Sequence, residues 1–286
     1  MPSWIHEALN PIALSVIPAT VPPVPASQIK SGIKKLLRWS GLLPAVQLAA
    51  RKLAFLNPKS RSRAAVARAF YGRFIRSGDL CFDVGANIGD RTQTFLDLGA
   101  RVVCVEPQQA CIRQLRQRFH DRIILVERAL GESEGYAELA VADDSTVATM
   151  SDQWKSKGRF SANSPWNTVQ RIQVTTLDAL IGTHGMPSFC KIDVEGFEVQ
   201  VLSGLSLAIP QLSFEFTREF TADAERCMNR LAALDAYRFN YSIGESMELV
   251  RGDWVSAAEL AAILTSLEDK CAWGDVYAVL SAKVSQ

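Results

Sequence analysis

The chain has 286 residues, 48% apolar and 21% charged, a balance that excludes a disordered or collagen-like chain. Its 31 Lys and Arg face 30 Asp and Glu, which excludes a uniformly basic nucleic-acid binder. The near-neutral total hides an asymmetry: residues 29–78 hold twelve basic and no acidic residues, whereas residues 79–286 hold 19 basic and 29 acidic, a net of −10.

Residues 1–28 are Pro-rich and predicted to be irregular. The stretch Pro11 to Ala26 is apolar but carries five prolines and has no basic start, so it reads as an extended arm and not as a secretory signal. No run approaches the ~20 apolar residues of a transmembrane helix. Residues 29–76 read as helices broken at Gly41, Pro44 and Pro58. In the first, Ile33, Leu36 and Leu37 form an apolar stripe among Lys30, Lys34, Lys35 and Arg38. Such a helix suits packing on a neighbouring domain, or peripheral contact with anionic lipid. Six cysteines without a C-x-x-C pair, four of them (Cys81, Cys104, Cys190 and Cys271) in or beside apolar runs, read as buried free thiols of a reducing, cytoplasmic setting.

From Asp79 strands and helices alternate, which predicts an α/β domain with a parallel sheet covered on both faces. Leu80 to Val84 is the first strand, Gly85 to Gly89 a tight loop and Asp90 to Leu98 a helix capped by Gly99. Val102 to Glu106 is the second strand. Pro107 is placed in the first turn of a helix running to Phe119. Ile123 to Val126 is the third strand, and Tyr136 to Val141 an added hairpin strand. Residues 142–168 read as a long polar loop suited to binding. Further strands follow at Val169 to Val174, Phe189 to Asp193, Leu212 to Phe216, Tyr237 to Ile243 and Val276 to Leu280. Helices cover Leu177 to Ile181, Glu198 to Ser203 and Ala222 to Leu234, and a capping box at Ser256 and Glu259 opens the last one.

The loop Asp83-Val84-Gly85-Ala86-Asn87-Ile88-Gly89 joins a strand to a helix, and Glu106 closes the next strand 21 residues after Gly85. A carboxylate there can accept both hydroxyls of a ribose. A dinucleotide site has the spacing G-x-G-x-x-G, whereas here the glycines are four apart and Asp83 precedes them. That carboxylate repels a pyrophosphate. S-adenosylmethionine carries an ammonium and a sulfonium and no phosphate, so charge favours it over NAD.

These residues resemble the FkbM family of methyltransferases. The resemblance runs through Asp83 to Gly89, Val105-Glu106-Pro107, Arg128 to Gly131, Thr176-Leu177-Asp178 and Lys191-Ile192-Asp193-Val194-Glu195-Gly196-Phe197-Glu198, then Val201 to Gly204, covering about 79–220. It implies a Rossmann-like, doubly wound, mostly parallel seven-stranded sheet with the last strand antiparallel. The domain would be 77–286, with 1–76 as a helical and Pro-rich extension. It implies O-methylation of a hydroxyl on a sugar, polyketide or similar metabolite. It puts Asp83, Gly85, Asn87 and Gly89 around the methionine part of the cofactor, Glu106 on the ribose, Ala129 by the adenine, and Lys191 to Glu195 facing the methyl group. At the end of the fifth strand it implies a polar ring or amide, where this chain has Thr217.

Lys191 in a buried strand needs a carboxylate partner, for which Asp193 and Asp178 are the candidates. The block is then either a structural ion pair, or one in which Asp193 or Glu195 orients the acceptor hydroxyl or takes its proton. His6, His120 and His184 occupy an arm, a helix end and the wrong edge of the sheet, so a base is expected to be a carboxylate. No His–carboxylate cluster points to a metal. Trp154 and Trp166 in the polar segment are placed to close over a sugar. Two competing readings are a non-catalytic module that binds S-adenosylmethionine and an NAD-dependent oxidoreductase. The expected partner is a small-molecule or glycan acceptor, not nucleic acid.

Overall fold

The computed structural model describes residues 58–141, 148–157 and 168–284. The Pro-rich arm, the basic amphipathic stripe around Ile33 and Trp166 lie outside the described residues. Two compact units are present, Met1–Ala65 and Val66–Gln286. The second holds both sheets.

The main sheet is built from β1 (Leu80–Val84), β2 (Arg101–Val105), β3 (Ile123–Val126), β8 (Phe189–Ile192), β9 (Gln211–Thr217), β10 (Tyr237–Tyr241) and β11 (Trp273–Leu280). Its order is β10-β11-β9-β8-β1-β2-β3. β11 runs antiparallel to both neighbours, β9 and β10, and the β1–β2, β2–β3, β1–β8 and β8–β9 pairs are parallel. This is the doubly wound, mostly parallel sheet expected, with its final strand reversed. The β1 sequence LCFDV is buried along its whole length, as a strand covered on both faces must be.

Alternation along the strands splits the core into two layers. Leu80, Phe82 and Val84 face one side, with Leu202, Phe214, Leu231 and Leu264. Cys81 and Cys104 face the other, with Phe95, Leu115, Phe119 and Phe189. That second layer also takes in residues that the sequence reading assigned to the N-terminal extension. Helix α1 (Pro58–Tyr71) and the turn after it bring Phe70, Tyr71, Phe74 and Ile75 into the core. Phe74 stacks on Tyr277 at 5.4 Å and 9°, and Tyr71 meets Phe95 and Phe189 edge-on. The body therefore begins at Val66, ahead of residue 77.

Crossover helices α2 (Asp90–Asp97), α3 (Gln109–Phe119), α5 (Leu177–His184), α6 (Glu198–Ser203), α7 (Thr221–Ala232) and α8 (Ala257–Ser266) cover the sheet, and a short α9 (Ser281–Val284) follows it. Gly99 takes φ +83 after α2, and Ser256 and Glu259 form the reciprocal box at α8. Pro107 stands outside α3, whose cap is Gln108. Cys271 is exposed, because it lies in the turn before β11, while the other five thiols are buried. Among the described residues no helix is long and apolar enough to cross a membrane.

A second, four-stranded sheet is present, of which the sequence reading had placed two strands. It comprises β4 (Ala129–Leu130), β5 (Gly135–Val141), β6 (Ala148–Thr149) and β7 (Thr168–Thr175), ordered β4-β7-β5-β6. The hairpin strand at Tyr136 and the strand at Val169 pair with each other within it. Helix α4 (Asp152–Lys157) follows β6, so part of the segment read as an open loop is ordered.

Candidate functional site

The C-terminal ends of β1, β2 and β8 converge on a cleft of about 110 Å³. Gly85 leaves β1 with φ +77, and its N–H donates to the Val105 carbonyl. A side chain here would put a Cβ 1.8 Å from the carbonyl oxygen of Asp193. Only glycine permits that approach of the β1 and β8 turns. Asn87 follows at φ +51, and its N–H donates to Glu106 Oε2 at 2.8 Å. The second oxygen of Glu106 accepts the N–H of Gln108, also at 2.8 Å. Glu106 thus pins the glycine loop to the start of α3. Burial pushes its carboxyl up to about 7, against the pull of the two N–H groups.

Across the cleft, the Asp193 N–H donates to Val84 O, which extends the β8–β1 ladder by one bond. Lys191 Nζ lies 2.8 Å from Asp193 Oδ2 and 3.8 Å from Asp275 Oδ1. Burial pulls the Lys191 ammonium down, but Asp193 and Asp275 outweigh it and hold its pKa well above the ordinary value. The partner of Lys191 is therefore Asp193, reinforced by Asp275 of β11. Asp178 instead accepts the N–H of Ser206.

The next turn is strained. Glu195 takes φ +54 and Gly196 φ +89. Asn87 and Glu195, both uncommon left-handed non-glycine residues, line the same cleft. Thr149 of the second sheet donates to the Glu195 carbonyl at 2.7 Å, and Glu198 accepts the N–H groups of Val194 and Gly196. Burial pushes the Glu198 carboxyl up to about 7, offset by those backbone donors.

Of the residues singled out from sequence, Gly85, Asn87, Glu106, Ala129, Asp193 and Glu195 line the cleft. Asp83, Gly89 and Lys191 are not on its wall. Asp83 lies beneath the glycine loop, accepting Thr92 Oγ1 at 2.5 Å, and burial raises its pKa. Gly89, at φ +82, admits the Phe119 ring, which a Cβ would approach to 2.3 Å. Lys191 acts from behind Asp193. Trp154 is buried against Gly196.

Gln108 was missed by the sequence reading, although it directly follows the Glu106-Pro107 pair. Its Oε1 is buried without a hydrogen-bond partner and it lines the cleft. The second sheet adds Leu139, Ala148 and Met150 as an apolar wall facing Pro107. Nothing local in the sequence announced that wall, because it depends on strand pairing across an intervening segment.

Comparison with known proteins places the chain. A family model for the methyltransferase FkbM domain matches residues 83–249. A ribosomal RNA small subunit methyltransferase A from Anaeromyxobacter sp. (strain K) is 40% identical over 65 residues, 23% of this chain and 22% of that protein. The chain thus spans about a fifth of the length of the curated relatives it matches. Among solved structures, a precorrin-6y C5,15-methyltransferase from Geobacter metallireducens aligns at 10% identity and a TM-score of 0.39, covering 78% of this chain and 89% of that one. A SAM-dependent O-methyltransferase from Thermotoga maritima aligns at 9% and 0.37, covering 79% and 70%. The FkbM match takes in the glycine loop, Glu106 and the whole Lys191–Glu198 block, more than half of the chain, and the chain belongs to the FkbM family of S-adenosylmethionine-dependent methyltransferases.

Proposed function

We propose that the chain transfers a methyl group from S-adenosylmethionine to a hydroxyl of a sugar, glycan or similar metabolite. The residues present suit that donor. Among the described residues, three carboxylates, Glu106, Asp193 and Glu195, line the cleft with one basic residue, Arg128. Such a field attracts a ligand with two cationic groups and repels a pyrophosphate. The buried acceptor on Gln108 lacks a donor, which a ribose hydroxyl or an amine supplies. Pro107, Ala129, Leu139 and Met150 form an apolar slot of the kind a nucleobase fills.

When bound, the cofactor supplies an electrophilic methyl on a positively charged sulfur. Glu106 spends one lone pair of each oxygen on the backbone and keeps the others for the ribose diol. Asp193 and Glu195 face the cationic end. Asp193 also stands at the edge of the sheet where an acceptor must arrive, held in one geometry by the Lys191 ammonium at its back. From there its carboxylate orients the acceptor hydroxyl and takes its proton. Much of the acceleration then comes from alignment within a cleft shielded by the second sheet.

The observation that carries this reading is the half-exposed Asp193 carboxylate on the cleft wall, clamped by a buried lysine. The relative named for ribosomal RNA offers no second reading from the site. Arg116 and Arg118 of α3 are paired with Glu127 and Asp90, and among the described residues the cleft wall carries only Arg128 as a basic side chain. The direct test is transfer of labelled methyl into fractionated hydroxylated extracts by wild type and Asp193→Ala. Turnover is expected to fall by roughly 10²–10⁴-fold, far more than cofactor affinity falls. Equal turnover would remove Asp193 from the chemistry.

A further inference from the structure

Lys191 does more than pair along its own strand. Its register partners are Asp83 of β1 and Ser213 of β9, and Ser213 in turn is level with Tyr277 of β11. Asp275, two residues from Tyr277, stands two strands away from β8, about 10 Å across the sheet. Yet Lys191 Nζ is 2.8 Å from Asp193 Oδ2 and 3.8 Å from Asp275 Oδ1. The lysine therefore reaches over β9, where the fully buried Ser213 is small enough to leave it room.

One carboxylate would satisfy a buried ammonium. A second, with a side chain only 12% exposed, is costly to keep in the interior. The other cation beside it, Arg91 of α2, is already bonded to Glu245. Asp275 is also fixed from its own strand, since the Tyr277 hydroxyl donates to its Oδ2 at 3.3 Å, while Oδ1 faces Lys191. Lys191 thus stands between a carboxylate on the cleft wall, Asp193, and one that lies off that wall, Asp275.

We infer that Asp275 is a positioning residue that shares Lys191 with Asp193, so that the ammonium orients Asp193 towards the acceptor hydroxyl and turns to Asp275 once Asp193 takes the proton. The inference rests on the methyl-transfer reading above and deepens it. In the step itself the acceptor oxygen bonds to the methyl carbon as the S–CH₃ bond breaks, and that electron pair stays on sulfur. The hydroxyl proton passes to Asp193, which becomes neutral. Lys191 keeps its charge, and Asp275 supplies the counter-charge until Asp193 releases the proton to solvent. Without Asp275 the ammonium would belong to Asp193 alone, hold it ionised and make it a weaker base.

The groups that face this pair are Asp83 of β1, Glu106 at the end of β2, Glu195 of the next turn, Glu198 of α6, Glu215 of β9, Arg91 of α2, Tyr71 of α1 and Glu245 of the loop after β10. Burial raises the Asp275 carboxyl, and Lys191 and Arg91 pull it back. Two carboxylates on one ammonium titrate as a pair, in two steps that belong to both.

The test is a pH titration by NMR of the full chain, labelled with ¹³C at the aspartate carboxyls, with Asp193 and Asp275 assigned through the backbone. In the wild type each of the two signals should bend at the other's midpoint. In Asp275→Asn the shared step should vanish, and Asp193 should titrate in one step, more than about 0.5 below the first wild-type midpoint. Steps passed on from Glu106 and Glu198, whose carboxyls sit at about 7, persist in both proteins. Independent single-step curves in the wild type, which decides alone if the variant does not fold, or an Asp193 midpoint unmoved by Asp275→Asn would overturn the inference and leave Asp275 a structural residue. Calorimetry with S-adenosylhomocysteine runs in parallel. Its failure to bind would overturn the methyl-transfer reading and the catalytic role of the sharing with it, whereas binding with uncoupled carboxyls would overturn this inference alone.

Discussion

Glu106 shows how much a single side chain can carry. It sits at the hinge between loop and helix, holds two backbone donors and faces the cleft. Because burial raises its pKa to about 7 from an ordinary 4.5, the folded protein binds that proton more tightly than the unfolded chain. The stability it contributes is full below about 4.5 and is lost as pH rises through about 7. The ionised form is the better acceptor for a ribose diol, so cofactor binding should run the opposite way. Affinity for S-adenosylhomocysteine is expected to weaken about tenfold between pH 8 and pH 6. Calorimetry across that range checks it, and a flat profile would show that Glu106 does not hold the ribose. At this scale the sequence was informative where chemistry and position coincide: an acid ending the second strand could be read directly. Gln108 could not, because its significance lies in an acceptor left without a partner, which only packing reveals. Asp83 was ambiguous for the same reason, since a carboxylate before a glycine loop can face ligand or face Thr92, and here it bonds Thr92.

At the scale of elements, the cleft depends on two close approaches of backbone. Gly85 lets the β1 turn touch the Asp193 carbonyl, and Gly89 lets α2 start over the Phe119 ring. Ala at position 89 must adopt φ +82, costing ~1–2 kcal/mol, and must also displace a buried aromatic ring. Gly89→Ala is expected to lower the thermal midpoint by about 5 °C or more. An unchanged midpoint would mean that α3 moves freely. Strands and helices with local signals were legible: short apolar runs between turn residues marked the seven main strands, and Ser256 and Glu259 announced α8 as a capping box. Of the second sheet only β5 and β7 were, because β4 and β6 are two residues each and are held only by pairing with β7 and β5. Helix α4, with Trp154 buried on Gly196, was likewise hidden inside a polar stretch.

At the scale of the whole molecule, the boundary of the catalytic body shows why composition misleads. The basic run through residue 78 suggested an extension ending near 76. Yet Phe70, Tyr71 and Phe74 within it are buried against Phe95, Phe189 and Tyr277. Surface charge marks what faces water and says nothing of the aromatic residues between. Removing one such ring costs ~3–5 kcal/mol, against a total stability of ~5–15 kcal/mol. A chain starting at residue 77 is therefore expected to lose its cooperative thermal transition, and one that melted like the full chain would contradict the assignment. The sign of the field in the cleft is also a property of the whole assembly, since the ends of β2 and β8, far apart in sequence, bring Glu106, Asp193 and Glu195 to it. The most direct measurement is calorimetric titration of the full chain with S-adenosylhomocysteine and, in parallel, with NAD. The account predicts saturable binding of S-adenosylhomocysteine that Glu106→Ala weakens at least tenfold, and no heat from NAD. Binding of NAD with indifference to S-adenosylhomocysteine would contradict it.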